Sequence, residues 1–469
     1  MGDREGASIL EGIDLKHLNR EEAERIVAQG PEAIVFALLQ LSALARGNEA
    51  SSPSTPSSQI PPYLKENSRK RKKKPGGKPG HEGARRSKPD RVDRVEEHTL
   101  EKCPDCGEAV APPSEKRTRV IEDIPVTQPE VVEHVIPRCW CKSCRKMVEP
   151  VIPDALPKAE LGHRALALSA WFHYGLGNTL SQVSGVLDTT FQHSISTGGL
   201  IDAWQRIAMI VEPWYHEIAD RAFESATLHA DETGHRVAGQ THWLWCFTTP
   251  EVTYYHIDDS RGEKALREFF LEAYEGVLIT DFWGAYNRIA VRKRQLCLVH
   301  LLRELDKVDL RNGNEDWIDF RNLLKRLLKD AIRLSKRDDL TAEEFAAKRN
   351  RLDLRLKGLI DGKRRDPDAK RLIKRLKKHR HDLFTFLDEP DVPFDNNHAE
   401  REIRPAVLMR KNSFHNMSDE GALVHSIMMT VFRTLKRKGF NPVDTLVHSL
   451  REFVTTGQLP SLAEATTPP

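Results

Sequence analysis

Long hydrophobic runs are missing from this chain. Across its 469 residues no apolar stretch reaches the ~18–20 residues of a membrane span, and the N-terminal MGDREGASIL lacks a basic-then-apolar secretory pattern. A soluble, intracellular protein without a membrane partner is therefore expected. Charge of one sign is scarce as well: 72 Lys and Arg against 69 Asp and Glu leave a formal net charge of +3. Any attraction to nucleic acid must then come from local clusters rather than the overall field. Cysteine is sparse outside one segment, with five of the seven cysteines between 103 and 144. Such crowding suits metal binding in a reducing compartment better than disulfides. No convincing Ser, Tyr or Cys nucleophile motif is found, which argues against a covalent protein intermediate.

What is present divides the chain by composition. Region 1–47 has a helical pattern carried by Ile26, Ile34, Leu38, Leu39, Leu41 and Leu44. Region 48–95 is rich in Ser, Pro, Gly, Lys and Arg, too poor in apolar residues to offset the entropy of ordering, and is expected to be a disordered linker. Within it, Arg71, Lys72, Lys73 and Lys74 form the centre of a basic block that a phosphate backbone would neutralise. A solvated linker is the competing reading.

Region 96–153 holds two C-x-x-C knuckles, Cys103/Cys106 and Cys141/Cys144. Four thiolates around one ion make a closed structural Zn2+ site. The intervening RVIEDIPVTQPEVVEHVIPRCW alternates like two strands, so a zinc ribbon is predicted, with Cys139 as a spare donor that could replace Cys141. Residues 154–225 read as helices, a helix-turn-helix included, for which simple packing is the favoured account.

From 226 the pattern turns to strands: SATLHADETG, THWLWCFTTP and EVTYYHIDDS, then a helical GEKALREFFLEAYEG, the strand VLITDFWGAYN and a fifth candidate, RQLCLVH. Three strands, a helix and a fourth strand are the order of a ribonuclease-H-like α/β core. The fold class is thus multidomain α/β: such a core in 226–300, a helical insertion in 301–390, a return to the core in 391–415 and C-terminal helices in 416–469.

Alternation in TLHADET puts Thr227, His229 and Asp231 on one face, and Leu228, Ala230 and Glu232 on the packed side, so Asp231 is favoured over Glu232 as the functional acid. Asp281 ends an apolar strand where an unpaired carboxylate is costly, which suggests a cation. Two strand-end aspartates can share divalent, oxygen-preferring metals such as Mg2+. A third acid is sought downstream, in FDNNHAEREIRPAVLMRKN. Glu400 fits, although its spacing from Asn397 also suits a capping box. Arg401, Arg404, Arg410 and Lys411 follow it, cations suited to phosphates. Trp243, Trp245 and Trp283 are read as core, with Trp283 left open because it lies two residues beyond Asp281.

HADET, TDFWGAYN and DNNHAEREIRPAVLMRKN, preceded by GGKPGHEG and a C-x-x-C pair, strongly resemble the Asp-Asp-Glu transposases of the insertion sequence 66 family. The resemblance implies a triad of Asp231, Asp281 and Glu400 holding two Mg2+ or Mn2+ ions. It implies 3′-end cleavage and strand transfer of a DNA element by in-line attack. It also implies DNA partners (element ends and target), a homo-oligomer in the active complex, accessory proteins of the same element as candidates, and a bacterial cytoplasmic location at the nucleoid. CLVH, Cys297 to His300, is similar to a Cys/Asp-x-x-His signature of such enzymes, with a core cysteine and a polar histidine as the plain alternative. His229 is a candidate accessory residue, again with a structural histidine as the competing reading. Lys78 departs from the family, which often carries Gln there. Two other functions compete: a non-catalytic zinc-dependent DNA-binding protein derived from a transposase, and a nuclease on the same core.

Overall fold

The computed structural model describes residues 20–28, 34, 37–38, 87, 89–113 and 115–465. The basic block Arg71–Lys74 and most of the helical pattern of region 1–47 lie outside the described residues; a helix Arg20–Ala28 is seen within that pattern.

The central element is a five-stranded mixed sheet in the order β5-β4-β3-β6-β7. Its strands are β3 Thr227–Val237, β4 Gln240–Thr248, β5 Thr253–Asp258, β6 Tyr274–Thr280 and β7 Val291–Leu296. A preceding small hairpin, β1 Cys139–Cys141 with β2 Lys146–Val148, stands apart from it. In the large sheet β3, β4 and β5 form an antiparallel meander, whereas β6 and β7 run parallel to β3. The register between β3 and β6 pairs Thr227 with Val277, Leu228 with Leu278 and His229 with Ile279. Asp231 and Asp281 each lie two residues beyond the last pair, at the same end of these adjacent strands.

Both faces of the sheet are covered, which explains the unbroken apolar run of β6. On one side Leu228, Ala230, Leu244 and Leu278 join a core with the helices Thr197–Phe223 and Asp419–Arg437. Helix Thr197–Phe223 starts at a Ser196 cap and buries Leu200, Trp204, Ile207, Val211, Trp214 and Ile218 at three- and four-residue steps. Its predecessor Leu180–Phe191 packs Val183 and Leu187 into the same core, the packing role expected for this helix pair. Helices 154–225 and 416–469 therefore share one core with the sheet. On the other side Val277 and Ile279 join a second core with helices Leu298–Asp309, Glu315–Leu334, Ala342–Asp361 and Pro367–Lys378.

Two further details position the site. Edge strand β5 would leave N–H groups unpaired, and the hydroxyls of Thr434 and Thr430 accept from Thr253 N–H (3.1 Å) and Tyr255 N–H (2.9 Å). Gly276 lies so close to Ser225 that an added Cβ would come within 2.6 Å of its carbonyl oxygen, so only glycine lets β6 pass.

One expectation fails for most of its length. Of residues 119–140, predicted as two strands, only Cys139 and Trp140 lie in a strand; among the described residues the only pairing in this part of the chain is the short hairpin 139–148 and an isolated Lys102–Ala109 bridge. Ile124, Val131 and Val135 are 88%, 92% and 87% exposed: alternation supplies an apolar face here, but nothing packs against it. Among the described residues no helix is long and apolar enough to cross a membrane.

Candidate active site

Asp231 lies in β3 and Asp281 directly follows β6, at the same end of the sheet. Asp231 accepts only the N–H of Glu232 (3.0 Å) and Asp281 only that of Trp283 (2.7 Å). Among the described residues no basic side chain lies within ion-pair distance of either. Burial raises the Asp231 carboxyl well above its ordinary range, and the charges of Glu232, Asp281 and Glu400 raise it further. Burial, then the Glu232 charge, pushes Asp281 up to about 6. Two desolvated, mutually repelling carboxylates without a counter-cation are the chemical setting a divalent cation relieves.

Glu400 sits in the first turn of helix Asn397–Ser413. No side-chain cap is formed at this helix start, so the capping-box alternative does not occur. Its carboxylate instead faces Arg303 Nη1 at 3.2 Å and His300 Nε2 at 3.5 Å, both from helix Leu298–Asp309. Cys297 Sγ, a His300 nitrogen and a Glu400 oxygen lie within 4.8 Å of one another and form a possible metal-holding group. Asp231, Asp281 and Glu400 together do not reach that mutual distance. Burial raises the Cys297 thiol to about 12, which keeps it neutral and poor as a nucleophile. Burial lowers His300, while Asp281 and Glu400 pull it back up.

His229 is enclosed by the fold. It is buried, its Nδ1 is 2.9 Å from Asn396 Oδ1, and burial lowers it to about 4. Asn396 is the joint that sequence reasoning missed: fully buried, it donates from its amide to Ala230 O (2.8 Å) and from its backbone to Cys297 Sγ (3.3 Å). It therefore ties β3, the β7 end and the Glu400 helix together. The only sequence signal is its place in DNN, which does not distinguish a loop asparagine from a buried one.

Glu232, the adjacent acid, turns to the opposite face. It accepts from Arg261 Nη2 (2.8 Å) and from the Tyr286 hydroxyl (2.8 Å). The Arg261 guanidinium lies 3.7 Å from the Trp283 ring centroid and 4.6 Å from that of Trp243. Trp283, whose backbone holds Asp281, also donates its indole N–H to Arg261 O (3.2 Å). This chain links the neighbour of Asp231 to the neighbour of Asp281 behind the carboxylates.

Of the predicted phosphate contacts, Arg401, Arg404 and Lys411 are exposed. Arg410 is half-buried over β3, with Nη1 3.4 Å from Thr233 Oγ1, because this turn of the helix faces the sheet. In the knuckles, backbone and side-chain hydrogen bonds from Cys106 lower the Cys103 thiol, and the backbone of Cys144 does the same for Cys141, so one thiol of each is prepared for a cation. Gly107 takes the left-handed φ of 79° that closes the first knuckle. The four sulfurs are not gathered into one group. Cys139 is exposed on β1.

The class is set by these features: a mixed α/β protein with acidic side chains at one end of adjacent parallel strands, following a cysteine-knuckle segment. More particularly, the chain belongs to the IS66 family of transposases. The model described as "Transposase IS66 family" matches residues 158–423, and that described as "zinc-finger binding domain of transposase IS66" matches residues 101–145. The first spans more than half of the chain. The uncharacterized protein y4qI of Sinorhizobium fredii is 26% identical over 266 residues, 50% of this chain and 49% of its own. A second uncharacterized protein of that organism, y4hP, is 24% identical over 369 residues, 69% of this chain and 65% of its own. The chain thus spans about half to 65% of the length of these curated relatives.

Proposed function

We propose that the chain cleaves DNA 3′ ends at a mobile element and joins them to target DNA, with Asp231, Asp281 and Glu400 as the catalytic acids. The observation that carries this reading is the pairing of β3 with β6, which ends two residues before Asp231 and Asp281 and brings both acids to one end of the sheet, with no cation partner among the described residues. The core of 226–300 and 391–415 is read as ribonuclease-H-like, since the strand order β5-β4-β3-β6-β7 and the strand directions agree with that topology.

The three carboxylates would hold Mg2+ or Mn2+, two per site. Bound there, the metal would activate water and then the freed 3′-hydroxyl and stabilise the leaving oxygen. The chain's own residues do the rest. Asn396 fixes the Glu400 helix against β3. Arg303 and His300 hold the Glu400 carboxylate, which would have to leave these partners to serve as a ligand beside Asp231 and Asp281. Arg261 neutralises Glu232 and leaves the site with three available acids instead of four. Arg401, Arg404 and Lys411 are placed to meet phosphates, with Arg410 braced on the sheet. Cys103, Cys106, Cys141 and Cys144 are read as structural Zn2+ ligands; the C-x-x-C turns and the lowered thiols of Cys103 and Cys141 suit that role.

The test supplies purified protein with its element's end sequences and Mg2+ or Mn2+. Cleavage followed by strand joining is expected, and Asp281→Asn should lower cleavage by about 10³-fold or more with folding intact. Full activity in Asp281→Asn would overturn the site; cleavage without joining would make the protein a nuclease.

A further inference from the structure

Helix Pro367–Lys378 in the insertion separates its basic residues into two sets. Arg371 and Arg375 both ion-pair with Glu304, while Leu372 and Leu376 are fully buried in the second core. The other set, Lys370, Lys374, Lys377 and Lys378, is exposed and has no acidic partner among the described residues. These four stand at i, i+4, i+7 and i+8 and share one helix face within an arc of about 100°. Between Gly362 and Leu387 no acid is exposed: Asp366 and Asp368 are buried at the helix start, and Asp382 sits against His379. Like charges four apart disfavour a helix, so the face is destabilising for the free protein and complementary to a polyanion.

The helix that carries the stripe packs beside the carboxylate site through its other face. The Arg375 guanidinium lies 4.6 Å from the ring centroid of Phe282, the residue after Asp281, and His379 meets the same ring edge-on at 6.1 Å. The other end of the helix is capped by Asp366, which also receives Asn312 at 3.0 Å and so anchors it to the neighbouring turn. The helix is thus a rigid arm whose inner face touches the residue beside a catalytic carboxylate and whose outer face is cationic.

We infer that Lys370, Lys374, Lys377 and Lys378 track the phosphate backbone of duplex DNA where it passes the carboxylate site. This rests on the reading of that site as DNA-processing. Eight residues of helix rise about 12 Å, a length over which a duplex presents about seven phosphate charges. Four lysines on one face can meet those on the near strand, and backbone contact without base readout makes the face sequence-independent.

The test is fluorescence anisotropy of the full chain with a 30-base-pair duplex of arbitrary sequence, in EDTA, between about 50 and 200 mM KCl. With all four lysines changed to Gln, the slope of log K against log salt should fall in magnitude by about 3.6 relative to wild type, since each phosphate contact contributes about 0.9. Kd at about 100 mM salt should rise at least tenfold. Changing all four to Arg should restore both, and the melting temperature of the Gln variant should equal or exceed that of wild type. An unchanged slope overturns the inference. So does a loss confined to RNA or to anionic vesicles, which would assign the face to another partner. No metal chemistry takes place in EDTA, so this outcome is independent of cleavage: active Asp281→Asn would remove the site reading and leave the slope result standing.

Discussion

Residues 119–138 and residues 227–248 both alternate apolar with polar side chains, and they meet different fates. In β3 and β4, Leu228, Ala230, Leu244 and Phe247 are fully buried, with the helix Asp419–Arg437 and the helix Thr197–Phe223 packed over them. In 119–138 the equivalent apolar residues lie in water and no strand forms. Alternation creates a face; only a partner layer makes the face a strand. The core brings its partner layers in the same chain, whereas the knuckle segment has few apolar contacts and five thiols, the composition of a unit that leans on a metal instead.

The sharpest way to break this contrast is to truncate one large residue in each region. Trp245, fully buried, parallel to Phe247 and edge-on to Tyr286, should cost about 3–5 kcal/mol on change to Ala. Ile124→Ala, at a residue 88% exposed, should stay within about 0.5 kcal/mol. Urea unfolding monitored by near-ultraviolet circular dichroism measures both, and a costly Ile124→Ala would mean that the ribbon segment has a packed face after all.

The next effect lies within the core. Arg261→Leu leaves the Glu232 carboxyl buried with only Tyr286 as a donor, at a cost of about 3 kcal/mol. Adding Glu232→Gln should recover much of that loss, because the uncompensated carboxyl disappears. A double variant as unstable as the sum of the two single ones would show that the pair is not coupled.

Much of this was legible in the sequence because it is local. The strand order follows from apolar runs and turn residues, and the preference for Asp231 over Glu232 follows from period-two alternation, with Glu232 found on the packed face. The links that close the site are long-range: Asn396 reaches His229 across 167 positions, and Arg303 reaches Glu400 across 97. No local pattern encodes such pairs. The two strands expected in 119–140 fail over 119–138 for the complementary reason, since pattern alone carries no information about what covers a face.

Zinc removal should separate the regions with a smaller effect. A chelator strong enough to strip zinc should expose residues 101–148 to limited proteolysis, while the melting temperature of the core moves by no more than about 1 °C, because the two described cores contain no residue of that segment. Collapse of the core transition with chelator would show that the segment supports the core.

The last contrast is the response to acid in the absence of divalent metal, to which buried groups of the core contribute terms of opposite sign. Asp281 is raised from 3.8 to about 6 by burial. Between those values the native state holds a proton that the unfolded chain has lost, so this group favours folding below pH 4 and loses that contribution as pH rises through 6. His229 is lowered from 6.5 to about 4 by burial. Over the same window the unfolded chain binds a proton that the native state refuses, so this group's contribution is full above pH 6.5 and is lost as pH falls through 4. Each term amounts to about 3 kcal/mol across its window, with opposite sign. Urea unfolding in EDTA at several values between pH 4 and 6.5 resolves them by difference. The stability of Asp281→Asn relative to wild type should climb with pH, and that of His229→Gln should decline, each on a constant offset from lost contacts. Parallel slopes in the two variants would mean that Asp281 is not buried protonated, or His229 not buried neutral, across that window.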